Sequence, residues 1–119
     1  MNSIGNLILH LAGNIRQLII SGVGGATDTR DRPAEFTQSE PISSDELLEG
    51  IFAAVKEAQV AIQTASLEQL CALIPVKRYE WTGMQAIIKS VAHFRGHTQE
   101  ILHTTRELLG EKYEFAGQR

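Results

Sequence analysis

The sequence has one cysteine, no surplus of positive charge and no long apolar run, and each shortage excludes a class of protein. A lone Cys71 cannot close an internal disulfide, so stability must come from a packed core, and a reducing, cytoplasmic setting is the simplest one. Nothing basic flanks Cys71 to activate a thiolate, and it reads as a small buried hydrophobe. The net charge of −3 gives no electrostatic ground for a nucleic-acid or anionic-membrane partner. Ile4 to Ile20, the longest apolar stretch, is interrupted by Asn6, His10, Asn14, Arg16 and Gln17. It is too polar for a membrane span, and no basic region precedes it as in a secretory signal. Also absent are a His-Glu-x-x-His pattern, a phosphate-binding glycine loop, a Ser or Cys nucleophile setting, an internal repeat and any low-complexity tract.

What is present suits one domain spanning residues 1–119, with 43% apolar and 21% charged residues. Ile4, Leu7, Ile8, Leu11, Ile15, Leu18 and Ile19 recur at helical spacing, with Asn2 or Ser3 to cap the start and Gly22 to end the run. Gly5 and Gly13 each weaken that helix by about 1 kcal/mol relative to Ala, and close approach of another helix is the usual reason for such a residue. Residues 21–42, "SGVGGATDTRDRPAEFTQSEPI", show no period and read as a long loop. Within it Phe36 can anchor on the core, and Arg30 and Arg32 can pair with Asp31, Glu35 or a ligand, exposed surface charge being the simpler reading. Ser43 or Ser44 before Asp45 and Glu46 predicts a second helix start, with Leu47, Ile51, Val55, Val60 and Ile62 as its apolar positions. A break near Ser66 leads into "LEQLCALIPVKRYEW", an irregular or short extended connector around Pro75. The last helix should run from about Thr82 to Leu109, with Gly110 as its C-terminal cap. Its apolar face is Met84, Ile87, Ile88, Val91, Phe94, Ile101, Leu102 and Leu109, and Tyr113 and Phe115 of the tail can pack back on it. The fold class is all-α, with three long helices.

Two of these helices carry histidines at the margin of their apolar stripes. His93 and His97 lie about 40° apart around the last helix, with Glu100 on the same edge, while His103 points elsewhere. His10 lies at the margin of the first stripe, with Asn14 below it. If the two margins meet they form a polar cleft, and helix bundles build metal sites from facing side chains in this way. Three neutral imidazoles leave at least one position open on a bound ion, the pattern of a catalytic site. The spacing alone also fits partly buried histidines hydrogen-bonded to Glu100, Asn14 or the backbone.

The segments "NSIGNLILHLAGNIRQLI", "RDRPAEF" and "HFRGHTQEI" together resemble the DinB-like family of bacterial helical-bundle proteins, in the same order and over nearly the whole chain. The resemblance is to an uncharacterised branch with a His-Leu-x-Gly-Asn first motif and a His-x-x-x-His-x-Gly-Gln-Ile last motif. It implies a four-helix bundle holding a divalent metal ion, zinc or nickel, on His10, His93 and His97. Relatives with known activities include thiol-dependent transferases and isomerases. The resemblance therefore implies a metal-dependent transferase or hydrolase acting on a small-molecule or thiol substrate, with Asn14, Glu100, Arg30 and Arg32 as candidates for supporting or substrate contacts. The alternative is a non-catalytic helical-bundle oligomer or binding protein that keeps the fold.

The sequence departs from the family pattern at two points. Gln99-Glu100-Ile101 stands where Gly-Gln-Ile is usual, which replaces a glutamine by a carboxylate at Glu100. Family members also carry a long helix before the Asn-Ser-Ile-Gly segment, whereas here Met1 directly precedes Asn2. The fourth helix is then missing or supplied by a partner, and a homodimer that covers the open groove is expected, with Leu9 and Ile20 of the first helix adding apolar area to the interface.

Overall fold

A computed structural model describes residues 3–37, 42–76 and 78–110, and these are all-α. Helix α1, Ile4–Ile15, starts where the Ser3 hydroxyl accepts the Asn6 amide hydrogen. It does not stop at Ile15 but widens into a π-helical stretch, Arg16–Ser21, in which the Gly22 amide reaches the Gln17 carbonyl, five residues back. The helical run ends at Ser21 with Gly22 as its cap, as the sequence suggested, though Gly22 keeps a right-handed conformation (φ −64°). The reversal falls on Gly25, at φ +82°, a conformation glycine adopts without the steric cost other residues incur.

The segment read as a uniform loop contains a short helix, α2, Arg32–Thr37. Its start is set by Asp31, whose carboxylate accepts the Ala34 amide hydrogen. Pro33 sits in its first turn, where a missing N–H costs nothing. Helix α3, Ser44–Thr64, is capped by Ser43, which accepts from Glu46. The connector opens with one more short helix, α4, Leu67–Cys71, held by a reciprocal capping box between Ser66 and Gln69. A single antiparallel bridge between Leu73 and Thr82 then folds the chain back, with the Ile74 amide donating to the Trp81 carbonyl. Helix α5, Gly83–Leu109, has the expected bounds: Thr82 and Gln85 form its capping box, and Gly110 ends it at φ +55°. Tyr113 and Phe115 lie outside the described residues.

Helix α1 and its π extension form the centre, packed on α2, α3 and α5. Leu11, Ile15 and Ile19 meet Ile51, Ala54 and Ala58 of α3 in the main core. Leu18 meets Ile74, Val76 and Ala86 in a second cluster, on which Tyr79 and Trp81 rest. Each fully buried aliphatic side chain of this kind contributes roughly 1.5–3 kcal/mol. Helices α3 and α5 both lie on α1 without packing on each other, and this leaves an apolar groove between them.

Three sequence expectations change at this level. The face that α5 turns to α1 carries small residues, Gly83, Ala86 and Ser90, while Met84, Ile88, Val91, Leu102 and Leu109 are exposed. Small side chains let the two helix backbones approach, and of the expected face Ile87, Phe94 and Ile101 do pack against the main core while the others are carried outward. Leu9 and Ile20 are half-buried, Ile20 against the main core, so the exposed apolar area belongs to α3 and α5. Cys71 is exposed at the end of α4. No helix among the described residues is long and apolar enough to cross a membrane.

Gly13 has a reason for being glycine, the close approach of α2. A Cβ there would overlap the carboxylate of Glu35 and sit 3.0 Å from Arg30 Nε. Gly50 on α3 faces open space. Gly50→Ala is therefore expected to stabilise by about 1 kcal/mol through helix propensity alone. Gly13→Ala should destabilise by about 1–3 kcal/mol through overpacking. Urea denaturation of the two variants checks the opposite signs, and equal stabilisation by both would show that Glu35 is not held against α1.

Candidate metal centre

His10 comes from the middle of α1, and His93 and His97 from adjacent turns of α5. Packing of α5 on α1 through Ala86 and Ser90 brings the three rings together. The Ser90 hydroxyl donates to Asn14 Oδ1 at 2.9 Å, a buried bond between the same two helices one turn from the rings. His10 Nε2 lies 2.9 Å from His93 Nε2, and His97 Nε2 lies 3.1 Å from it. One nitrogen from each ring falls within 4.8 Å of the others. The three histidines singled out in the sequence are thus brought to one point, close enough to hold an ion.

The outer nitrogens say which tautomer each ring holds. His10 Nδ1–H donates to Glu35 Oε1 at 3.0 Å, and His97 Nδ1–H donates to Glu100 Oε2 at 2.8 Å. A carboxylate only accepts, so these two bonds need the proton on Nδ1 and turn an Nε2 lone pair inward; Arg30 Nη2 also lies 3.2 Å from His10 Nδ1, and it donates to Glu35 Oε1 at the shorter 3.0 Å. His93 Nδ1 is buried and has no partner among the described residues. Its Nε2 faces the two inward lone pairs and can donate to only one of them. A divalent cation resolves that conflict, since it accepts all three lone pairs at once. A tetrahedral ion with nitrogens at 2.0–2.1 Å separates them by about 3.3 Å. The two spacings to His93, 2.9 and 3.1 Å, are within a few tenths of an ångström of that, and all three nitrogens lie within 4.8 Å of one another. The donor set, three neutral imidazole nitrogens, suits zinc, nickel, copper or iron(II).

Behind His10 stands a group that the sequence did not single out as part of the site. Glu35, on α2, is buried and receives two parallel bonds from Arg30, at 2.9 and 3.0 Å, besides the one from His10. The Arg30 side chain is itself 3% exposed and also donates to Gln17. The simpler reading of Arg30 as surface charge is corrected by this pairing. Phe36 lies against the His10 ring, centroids 4.9 Å apart, rather than in the main core. The spacing in "RDRPAEF" carried a usable signal: a helix begun at Asp31 aims Glu35 and Phe36 at the same neighbour. Glu100 supports His97 as a hydrogen-bond acceptor, Asn14 lines the cleft, and Arg32 stands over the Phe36 ring at 5.4 Å. His103 is exposed and pairs with Glu107.

Burial holds the His93 pKa down to about 4, aided by the neighbouring rings of His10 and His97 and by Arg30 and Arg32. His10 is lowered too, chiefly by burial, with the Glu35 hydrogen bond acting against it. Both rings are therefore neutral at pH 7, the state in which imidazole ligates.

Fold and site together define an all-α protein with a three-histidine centre buttressed by carboxylates. The chain belongs to the family described as "Protein of unknown function (DUF1572)", whose family model matches residues 1–117. No curated protein and no solved structure matches it.

The lowered His93 pKa has a sign for stability. In the unfolded chain the ring takes up its proton near the ordinary 6.5, but in the fold it stays neutral to about 4. Its contribution is complete above 6.5 and is lost as pH falls towards 4. Thermal melting of chelator-treated protein between pH 4 and 7 should show this decline, and His93→Gln should flatten it. A variant with the same slope as the parent would show that the ring is not held neutral.

Proposed function

We propose that this protein is a metal-dependent enzyme of the DinB-like class, a thiol-dependent transferase or a hydrolase, with zinc or nickel held by His10, His93 and His97. The observation that carries this reading is the convergence of three Nε2 atoms whose outer nitrogens are, in two rings, fixed by carboxylates. Such outer partners set the tautomer and raise the basicity of a ligating ring. Three protein ligands leave room for a substrate or a nucleophile, as in catalytic rather than structural zinc sites. The ion would supply Lewis acidity, lowering the pKa of an oxygen or sulfur nucleophile. The chain's own part is to hold the rings neutral and oriented: Glu35 fixes His10, Arg30 fixes Glu35, and Glu100 fixes His97.

Protein purified without chelators is expected to carry about one divalent ion per chain. His97→Ala should lose it and His103→Ala should keep it, by elemental analysis. A folded chain that neither retains nor reloads zinc or nickel would overturn the reading. A screen for thiol transfer and for hydrolysis on the loaded protein then separates the two reaction classes.

We also propose a homodimer formed through the groove between α3 and α5. Its floor is Ile15 and Ile19, its walls include Val55, Ile62, Val91 and Phe94, and Phe52 and Ile88 stand exposed on the same two helices. Contiguous apolar surface of this kind on a soluble chain marks an interface, and twofold closure is the commonest way to cover it. Sedimentation at micromolar concentration should show a dimer that Val91→Glu dissociates. A monomer whose unfolding is independent of concentration would rule the dimer out.

A further inference from the structure

A cavity of about 170 Å³ opens beside the histidine centre and shares His10 and His93 with it. Its charged lining is entirely basic: Arg30, Arg32, Arg78 and Lys89, with no carboxylate among its lining residues. Arg30 is neutralised by Glu35, but Arg32, Arg78 and Lys89 have no carboxylate partner among the described residues. Each of the three instead stands over an aromatic ring. Arg32 lies 5.4 Å from the Phe36 centroid, Arg78 5.6 Å from Tyr79 and Lys89 5.0 Å from Trp81. A ring face positions a cation without cancelling its charge. Tyr79 and Trp81 are stacked, centroids 4.2 Å apart and planes 12° from parallel, so one wall is a double aromatic shelf. The chain as a whole is acidic, with a net charge of −3, and three uncompensated cations around one cavity run against that balance.

We propose that this cavity is the substrate pocket of the centre, and that the substrate is a small organic anion, with a carboxylate or phosphate group held by Arg32, Arg78 and Lys89 and a planar or apolar body against Tyr79 and Trp81. The proposal rests on the metal-enzyme reading for the word substrate, but anion recognition itself needs no ion. Guanidinium groups bind such oxyanions through paired charge-assisted hydrogen bonds, and the aromatic shelf adds apolar area next to them. His10 and His93 at the rim would place the far end of the bound molecule at the three-histidine point. The cations and the aromatic shelf come from parts of the chain far apart in sequence: Arg32 at the start of α2, Arg78, Tyr79 and Trp81 in the connector, and Lys89 on α5. The connector that joins α4 to α5 therefore acts as a recognition element.

Trp81 is the chain's single tryptophan, so its fluorescence reports on the pocket directly. The probes are benzoate, phenyl phosphate and uncharged benzamide, titrated into chelator-treated protein at low salt. Benzoate or phenyl phosphate should change Trp81 emission saturably, and benzamide should not; the ratio of the two anion affinities tells carboxylate from phosphate selection. Arg78→Gln and Lys89→Gln should each weaken the preferred anion roughly tenfold or more, as loss of a charge-assisted contact does. Arg78→Lys should restore part of the loss, and circular dichroism of each variant checks that the helices remain. His103→Ala, an exposed histidine away from the cavity, should leave anion binding unchanged. Binding of benzamide as tightly as benzoate, or of neither anion, would overturn the proposal. Anion binding by a chain that takes up no metal would keep the pocket and discard the metal reading, while metal uptake without anion selectivity would do the reverse.

Discussion

The carboxylate of Glu35 is the constraint on which the centre depends. It is buried, it carries charge, and it satisfies that charge through both arms of Arg30 and through Nδ1–H of His10. A buried ion pair adds little net stability over an apolar substitute, but leaving one member alone costs about 3–5 kcal/mol. The three groups therefore stand or fall together. Their joint position needs the bare backbone of Gly13 beneath them, and it needs α2 to present Glu35 at the right turn. Asn6 adds a further tie by donating to the Glu35 carbonyl. A segment without periodicity is thereby fastened to the central helix at its most polar point.

The same arrangement explains which parts of this protein can be read from its sequence. The ends of α5 are local: its start at Thr82 and the positive-φ Gly110 depend only on residues within one turn, and both bounds were legible. So was the angular position of His93 and His97, which follows from helical period. His10 could be placed beside them because its own stripe margin was legible and the motif order pointed to one site. Glu35 could not be assigned to that site, because a single acidic residue in an aperiodic stretch looks like any surface carboxylate until its burial is known. The buried face of α5 was legible only in part: Ile87, Phe94 and Ile101 pack on the core, but Met84, Ile88, Val91, Leu102 and Leu109 do not. A stripe of large apolar residues suggests the buried face, yet Ala86 and Ser90 face α1 because close backbone approach favours small side chains. Cys71 shows the limit of residue type as a guide, since a five-residue helix has too little surface to bury every apolar side chain it carries.

Helix α1 is the hub of both cores and of the histidine centre, and its π-helical continuation has a part in this. Widening the turn at Arg16–Ser21 shifts the residues that follow around the axis. Ile19 then faces α3 while Leu18 faces the connector and Ala86, so one helix serves two clusters on different sides. The connector that rests on Leu18 also carries Tyr79 and Trp81. The second core is thus the foundation of the cationic cavity, and the packing of Leu18 bears on the chemistry next to His93.

His93 differs from its two companions in having no partner on Nδ1 among the described residues. Nothing outside the centre locks its proton to one nitrogen. The other two rings are preset for ligation, and His93 alone must move its proton from the inner to the outer nitrogen when its lone pair is needed. An ion held there would need only an internal tautomer exchange at that one residue. The charge such an ion would bring has two carboxylates, Glu35 and Glu100, already in place to meet it.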